Sequence, residues 1–255
     1  MCMPLFWDVP KQVFRHSSDR GGTLLTNRSI KMSTPTSVNQ QRPTRRVRRK
    51  AARPQEIVDA ALQVFVAKGF AAARVDEIAQ RAGVAKATVF VYFESKDALF
   101  KAVVRAKIVD QLTTFKAQAA SHVGSTRDLI VMALNDWWVR IGATDAGGIS
   151  KLMMQEAKNF PELAAFYQAE VMVPATTLMS DILRRGVQRG ELNDIDIPNT
   201  VMSIMASLLF LSMWSQSYGL DRPFCGSLIS PDVFIDHQIN LLFSGIESKG
   251  SVPCA

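Results

Sequence analysis

The sequence predicts an all-α protein in two parts, a small N-terminal bundle of three helices and a larger C-terminal helical domain, with about nine helices in all. From Pro54 to about Glu247, apolar residues recur at helical spacing and no strand-like alternation is found. Hydrophobic residues make up 47% of the 255, enough for a full core. We expect residues 1–50 to form a disordered extension with a basic arm, 51–100 the bundle, and 101–250 the larger domain.

The basic arm accounts for the net charge of the chain. It runs from Arg42 to Lys50 with Arg53 beyond, and contains no acidic residue. Its seven basic residues match the formal net charge of +7, so 7 − 7 leaves the other 243 residues neutral. Such a polycation suits phosphate contact or insertion into a minor groove, although a solvated tail or a targeting run has the same composition. The arm residues expected to contact DNA are Arg45, Arg46, Arg48, Arg49 and Lys50.

The first helix should begin at Pro54 and end at Gly69. Apolar residues at helical spacing, among them Ile57 and Phe65, describe one buried face. A proline suits the first turn of a helix and a glycine its C-terminal end.

Two short helices should follow, hinged at Gly83. Glycine adopts positive φ without steric cost, so the chain can turn sharply there. Ile78 and Ala79 would face Val84 and Val89 across the turn, and a third helix would open at Ser95. This is the pattern of a helix-turn-helix and implies DNA, although an apolar helical hairpin with one glycine also occurs in ordinary bundles.

Residues 53–101 resemble the N-terminal domain of TetR/AcrR-type transcriptional regulators. The stretch from Arg53 to Phe70 is similar to the first helix of that family, and Val84 to Leu99 is similar to its recognition helix and the start of its fourth helix. The resemblance implies a dimeric, ligand-responsive regulator that binds a double-stranded DNA operator. It also implies DNA-facing positions, which in this chain are Lys86, Ala87, Thr88, Phe90, Val91 and Tyr92, with Lys96 as a phosphate contact.

Two departures from the family pattern carry predictions. Ala73-Arg74 precedes the second helix where a hydroxyl residue is usual, so the N-cap should be missing and Arg74 is free to contact phosphate. Phe90 and Val91 cannot hydrogen-bond a base, so we expect them to contact thymine methyl groups of an operator that has A·T steps beneath them. Half-sites with only G·C pairs there would contradict this.

The larger domain should contain six helices, near 96–120, 126–143, 149–158, 161–190, 197–217 and 231–247. Pro174 lies inside the fourth of these and should kink or divide it, because proline lacks an N–H. The last two helices carry apolar residues on more than one face. They would pair with their copies in a homodimer, as the resemblance implies, unless both are buried within one chain.

A ligand pocket is expected in the middle of this domain, where methionine and aromatic residues concentrate and can line an adaptable apolar cavity. The same residues at helical spacing are also typical of plain core. The few charges between Ile149 and Met179 include no basic cluster, which favours a neutral or lipophilic effector. The candidate lining residues are Met132, Trp137, Trp138, Met153, Met154, Phe166, Tyr167, Met172 and Met179.

Other classes of protein find little support in the sequence. The three cysteines and three histidines are scattered without metal-ligand spacing, and no nucleophile elbow, phosphate loop or paired carboxylates are found, so we expect no metal, no cofactor and no enzyme. No signal peptide is evident, and the longest apolar stretch, 201–214, is shorter than a membrane span, so a cytoplasmic protein is expected. A non-specific or architectural DNA-binding protein remains the alternative, because the arm alone could bind DNA of any sequence.

Overall fold

The computed structural model describes residues 45–246 of the chain, with side chains described from residue 54 onward. Within this part the structure contains no strand, and extended pairing is limited to isolated bridges such as that between Phe224 and Ser227, so the all-α prediction is confirmed. The helices are α1 (Arg45–Ala72), α2 (Val75–Arg81), α3 (Lys86–Tyr92), α4 (Lys96–Val104), α5 (Asp110–Ala120), α6 (Thr126–Trp137), α7 (Gly147–Glu156), α8 (Pro161–Tyr167), α9 (Val173–Gln188), α10 (Ile197–Tyr218) and α11 (Pro231–Ile246).

Three π-helical turns interrupt the larger domain. Arg105–Val109 joins α4 to α5, Trp138–Gly142 extends α6, and Gln168–Met172 joins α8 to α9. With joined helices counted once, the described residues form nine helical rods, as the sequence predicted. Pro174 lies in the first turn of α9, directly after the third π turn, so the long element is divided where proline predicted.

The start of α1 differs from the sequence prediction. The helix begins at Arg45 instead of Pro54, so residues 45–50, expected in a disordered extension, are helical and Pro54 lies inside the helix. Arginine, lysine and alanine are strong helix formers, and they outweigh one proline. The rest of the predicted extension, residues 1–44, lies outside the described residues, as do the side chains of the arm.

The end of α1 is set by Gly69, as predicted. This residue has φ 81° and ψ 166°, which breaks the helix before a last short turn to Ala72. The chain then changes direction, and Phe70 enters the core with 2% of its surface exposed. Its ring lies 5.6 Å from that of Phe65 and 5.4 Å from that of Phe100, so the ends of α1 and α4 share one aromatic cluster.

Two hydrophobic cores fill the described part. The first contains α1 to α4 together with residues of α7 and α8, and the second contains α5, α6, α9, α10 and α11. Gly148 lets α7 approach α1 closely, because a Cβ there would lie 2.5 Å from Cγ1 of Val66. The boundary at residue 100 therefore stays a prediction, because one continuous core crosses it.

Helix α10 corrects one sequence argument. It extends over 22 residues with mean hydropathy 1.4, so it is long and apolar enough to cross a membrane by length and composition, although the stretch 201–214 alone is shorter than a membrane span. Polar residues at both ends, such as Asn199 and Gln216, belong to the same helix and lengthen it. Only 28% of its apolar window is buried in the chain, so much apolar surface is left for a partner.

Candidate DNA-binding surface and ligand pocket

The turn between α2 and α3 is built as the sequence predicted. Gly83 has φ 65°, and the Val84 N–H donates to the carbonyl of Ala79 at 3.0 Å, which closes the turn. Ile78, Ala79 and Val89 are buried where the two helices cross. One face of α3 is therefore fixed against α2, and the opposite face is left in solvent.

That opposite face carries the predicted DNA-facing residues. Lys86, Ala87, Phe90 and Val91 are exposed, whereas Thr88 and Tyr92 are half-buried at its edges. Phe90 is 44% exposed and Val91 78% exposed. Two adjacent large apolar side chains in solvent on one short helix favour a surface that contacts another molecule.

Cationic side chains flank this face, held by exposed ion pairs. The Nζ atom of Lys86 lies 3.0 Å from the Oδ1 atom of Asp76. The Nη2 atom of Arg74 lies 3.9 Å from the Oδ2 atom of the same carboxylate. Arg74 occupies the N-cap position of α2 without a side-chain hydrogen bond, as predicted from the missing hydroxyl residue. Exposed ion pairs of this kind contribute little stability, so a phosphate can replace the carboxylate at low cost.

Lys96 has a different role in the structure. Its ammonium donates to the carbonyl oxygens of Phe70 at 2.9 Å and of Ala71 and Ala73 at 3.2 Å, and it lies 4.5 Å from the centre of the Phe70 ring. An ammonium has three N–H donors, and all three are used. The predicted phosphate contact thus requires Lys96 to release a carbonyl, and it stays a prediction.

The start of α4 is capped as predicted. The Oγ atom of Ser95 accepts a hydrogen bond from the Ala98 N–H at 3.0 Å, so the helix opens where the sequence placed it. Lys96 is the first residue of that helix, and the carbonyls it contacts belong to the end of α1 and the following loop. Ser95 and Lys96 thereby fix α4 against the helix-turn-helix.

A cavity of about 110 Å³ lies in the larger domain, between α5, α6, α9 and α10. All three π turns contribute to its wall, which fits the frequent occurrence of such turns at functional sites. The lining is mostly apolar: Ile108, Leu112, Phe115, Ala133, Leu134, Trp137, Ile141, Val171, Met172, Ala175, Leu178, Met179, Ile182, Ile204, Met205, Leu208 and Leu209, with Gln111, Asp136, Ser150 and Tyr167 as the polar members.

The polar lining residues form two separate groups. The Oγ atom of Ser150 lies 3.0 Å from the hydroxyl of Tyr167, and both side chains are buried. Burial raises the pKa of Tyr167, because the interior disfavours the phenolate. In the other group, Arg140 donates to Asp136 at 2.5 Å and to Gln111 at 3.3 Å.

Comparisons with known proteins connect these features. The family described as "Bacterial regulatory proteins, tetR family" matches residues 57–103, and the one described as "Tetracyclin repressor-like, C-terminal domain" matches residues 122–230. The transcriptional activator FasR of Mycolicibacterium smegmatis is 31% identical over 194 residues, covering 75% of this chain and 81% of that relative. The chain belongs to the TetR family. It is therefore a DNA-binding transcriptional regulator, as the helix-turn-helix predicted.

Solved structures show the same fold. The fatty acid degradation regulator FadR of Bacillus halodurans has a TM-score of 0.63 at 21% identity, over 75% of this chain and 98% of that one. FadR of Bacillus subtilis, solved in complex with stearoyl-CoA, has a TM-score of 0.57 at 18% identity, over 76% of this chain and 99% of that one.

In this TetR-family chain, the cavity is lined by four of the nine candidate residues: Trp137, Tyr167, Met172 and Met179. The other five lie elsewhere, because a helix turns about 100° per residue and the sequence does not show which face meets the cavity. Met153 is in the first core, Met132 and Trp138 belong to the second, Met154 is exposed, and Phe166 packs below Lys101 and Arg105.

Several lining residues were missed by sequence reasoning. Ile108, Leu112 and Phe115 form one apolar stripe of the π turn and α5, and Gln111 lies beside them. Their spacings of three and four residues are the signal in the sequence, and a pattern based on methionine and aromatic residues alone does not include them. Ser150 gave no signal, since a lone serine in an apolar helix is common.

Besides the packing of α7 against α1, two polar contacts connect the cavity region with the end of α1 and with the turn that follows α4. At the end of α7, Oε1 of Glu156 accepts a hydrogen bond from the N–H of Ala71 at 3.2 Å, next to the break at Gly69. Arg105 of the first π turn donates hydrogen bonds to both carboxylate oxygens of Glu170, which lies in the third π turn, at 2.7 and 2.5 Å. Bonding to Arg105 lowers the pKa of Glu170, so this pair is ionised at neutral pH.

The other carboxylates with a shifted pKa serve helix ends. Asp128 pairs with Ser125 in a capping box at the start of α6, and Asp196 caps α10 by accepting from the Asn199 N–H. These hydrogen bonds hold the pKa of each carboxyl below its usual value. Among the described side chains, no group of three or more His, Cys, Asp or Glu residues could hold a metal ion.

Helices α10 and α11 present apolar side chains to solvent. Met202, Phe210, Val233 and Leu241 are all exposed, Met202 and Val233 to 68% each. The opposite faces are buried in the second core, through residues such as Leu208 and Ile239. The prediction that these helices are apolar on more than one face is therefore confirmed, and within the described part of the chain the ring of Phe210 lies 5.8 Å from that of Phe224.

Proposed function

We propose that the protein is a homodimeric, ligand-responsive repressor that leaves a pseudo-palindromic operator when a small lipophilic effector fills the cavity. The observation that carries this proposal is the combination of an exposed α3 face with an apolar cavity linked to it through α1 and α4, in a member of the TetR family. The stearoyl-CoA bound to FadR of Bacillus subtilis supports an effector with a long apolar part.

The proposed DNA contacts divide into two kinds. Lys86, Thr88 and Tyr92 would contact phosphates or base edges, Arg74 a phosphate, and Ala87, Phe90 and Val91 would lie against the bases, with thymine methyls under the two larger ones. The arm residues Arg45, Arg46, Arg48, Arg49 and Lys50 would add contacts independent of sequence.

Effector binding is proposed to act by a shift between two spacings of the α3 helices of the dimer. A ligand that widens the cavity displaces the π turns, and the pair of Arg105 with Glu170 transmits this movement to the end of α4. Lys96 and Glu156 then move the end of α1. The ligand shifts the balance only by its difference in affinity for the two spacings.

The dimer is proposed to form through the exposed faces of α10 and α11. Two helices from each chain would make a four-helix contact, which would explain why α10 has an apolar surface that residues 45–246 leave largely uncovered. A two-fold dimer would also match a two-fold operator. Placed beside the DNA it regulates, the protein would be cytoplasmic and bind no membrane.

Activation is the second candidate for the direction of regulation. It is favoured by one observation, the naming of FasR, a 31% identical relative, as a transcriptional activator. Repression by steric exclusion requires the operator to overlap the promoter, whereas activation requires a site upstream of it. Mapping the bound site relative to the transcription start therefore distinguishes the two.

The decisive experiment is selection of bound fragments from the source genome by the purified full chain, at near-physiological salt with excess random DNA. Enrichment of one pseudo-palindromic site supports the proposal. Uniform recovery of all fragments would instead indicate a non-specific or architectural protein whose arm dominates binding.

Matched variants separate the two kinds of contact. Replacing Arg45, Arg46, Arg48 and Arg49 by alanine should weaken binding to all DNA and flatten the dependence of affinity on salt. Lys86→Ala should in addition reduce the preference for the selected site over random DNA. If both variants changed affinity and preference alike, the proposed division would be wrong.

A further inference from the structure

Two buried hydroxyl groups, those of Ser150 and Tyr167, line the cavity. Ser150 of α7 and Tyr167 at the end of α8 are each 8% exposed, and their oxygens lie 3.0 Å apart in a wall that is otherwise apolar on that side. The hydroxyl of Tyr167 is brought there by the third π turn, which begins at the next residue.

This pair has unused capacity for hydrogen bonding. Two hydroxyls carry two O–H donors and several lone pairs, and the bond between them uses one donor. Within the described part of the chain, neither hydroxyl has a second partner. One O–H can therefore be donated to a ligand oxygen in the cavity, and the remaining lone pairs can accept from a ligand hydroxyl.

The charges around the cavity exclude an ionised group at this point. Lys and Arg are absent from the lining, and its one carboxylate, Asp136, belongs to the other polar group, where Arg140 and Gln111 lie. A ligand carboxylate beside Ser150 and Tyr167 would lose its hydration without gaining a cation, which disfavours its binding there. A neutral oxygen loses far less and gains one or two hydrogen bonds.

We propose that Ser150 and Tyr167 bind the single uncharged oxygen, a carbonyl or a hydroxyl, of an otherwise apolar effector. This inference rests on the proposed function only in placing the effector in this cavity. It adds the chemical class of the ligand and the two residues that select it.

The location of Ser150 on α7 also connects ligand binding in the cavity with the DNA-binding part. Ser150 lies six residues before Glu156 on α7. A ligand that contacts the Ser150 hydroxyl therefore contacts the same helix whose Glu156 accepts the hydrogen bond from the Ala71 N–H. A ligand oxygen that binds the free O–H of this pair adds a contact between the ligand and α7 or α8, beside the 3.0 Å contact of the two hydroxyls. An apolar molecule that fills the cavity makes no such contact.

Three probes of equal length test the proposal: octane, 2-octanone and octanoate. Their binding to the purified full chain is measured by equilibrium dialysis at pH 7 without DNA, for the wild type, Ser150→Ala and Tyr167→Phe. We expect each variant to lose about 3- to 10-fold in affinity for 2-octanone and to keep its affinity for octane, since one hydrogen bond is removed. Octanoate should bind more weakly than 2-octanone to the wild type.

Ser180→Ala is the matched control, because Ser180 is half-buried on α9, does not line the cavity, and donates to the Thr176 carbonyl. It should leave the ratio of the 2-octanone and octane affinities unchanged. The proposal is overturned if this ratio is the same in the wild type and both test variants, if octanoate binds more tightly than 2-octanone, or if neither neutral probe binds saturably. Because no DNA is present, failure of the operator selection leaves this result unaffected, and the reverse also holds.

Discussion

At the scale of single residues, Gly83 determines whether the helix-turn-helix can form. Its φ is 65°, and a Cβ added there would meet no atom within 4 Å, so any cost of substitution comes from the backbone alone. We expect Gly83→Val to destabilise the fold by about 2 kcal/mol, because a β-branched residue is strained at positive φ. Thermal unfolding measures the loss, and operator binding should fall with it.

Gly245→Ala is the control for this substitution. Gly245 lies in α11 at an ordinary helical φ, and its Cβ position is also open. Alanine there should be neutral or stabilising by about 0.5 kcal/mol. Equal unfolding temperatures for Gly83→Val and the wild type would contradict the assigned turn conformation.

The hydrogen bond accepted by Glu191, another single residue, should make the stability of the fold depend on pH. Its Oε2 atom accepts from the Thr126 N–H at 2.5 Å, and hydrogen bonds from Thr126 lower its pKa from the ordinary 4.5. The resulting stability is fully present above pH 4.5 and is lost as the pH falls through the lower pKa of the folded state. Glu191→Gln should cost about 1 kcal/mol at pH 7, a deficit that shrinks below pH 4.5.

Urea unfolding at pH 7 and pH 3 measures this difference. Glu94→Gln serves as the control, because Glu94 is an exposed residue between α3 and α4 whose side chain has no described partner. It should change stability little at either pH. A deficit of Glu191→Gln that stays constant across this range would show that the charge of Glu191 contributes nothing.

At the scale of elements, periodicity predicted the helices well and their exact faces poorly. The bounds of α2 to α11 follow from apolar spacing, glycine and proline, because burial of one face requires that spacing. The π turns insert one residue into this period and leave no comparable sequence mark. Trp137 and Trp138 are neighbours in sequence, yet only Trp137 lines the cavity, since its orientation depends on the packing of helices distant in sequence.

Lys96 connects α4 to the end of α1 through its hydrogen bonds, and this contact supports a prediction. Lys96→Met removes the three hydrogen bonds to the end of α1, which should lower stability by about 2 kcal/mol and weaken binding to all DNA sequences. The salt dependence of operator binding should nevertheless be unchanged, because the ammonium is fully used within the protein. Affinity measured at several salt concentrations distinguishes the two effects.

Lys86→Met provides the comparison, since Lys86 is exposed on the face of α3 and forms an ion pair with Asp76. Loss of the Lys86 charge should lower the slope of the logarithm of DNA affinity against the logarithm of salt concentration by about one, the amount expected for one phosphate contact. The same reduction for Lys96→Met would instead support the phosphate contact predicted from the sequence.

At the scale of the whole molecule, regulation requires the cavity, the DNA-binding surface and the proposed dimer contact to move together. The first core supports this, because it joins α1 to α4 with α7 and α8 and includes Val171 of the cavity wall. A rigid core transmits small displacements, since packed interiors compress little. The dimer contact then converts movement within each chain into a change of spacing between two α3 helices.

The dimer contact can be removed by two charges placed on the exposed faces of α10 and α11. Met202→Glu combined with Leu241→Glu should give a monomer, because the carboxylates would be buried without partners in the four-helix contact. Without the second subunit, affinity for the full operator should fall by about 100-fold or more, whereas affinity for a single half-site should stay the same. Val123→Glu is the control, since Val123 is 92% exposed in the loop before α6 and belongs to neither helix. Sedimentation measures the assembly, and anisotropy with full and half operators measures binding. A double variant that remained a dimer would show that these faces do not form the contact, and a monomer with undiminished operator affinity would show that pairing is not needed for recognition.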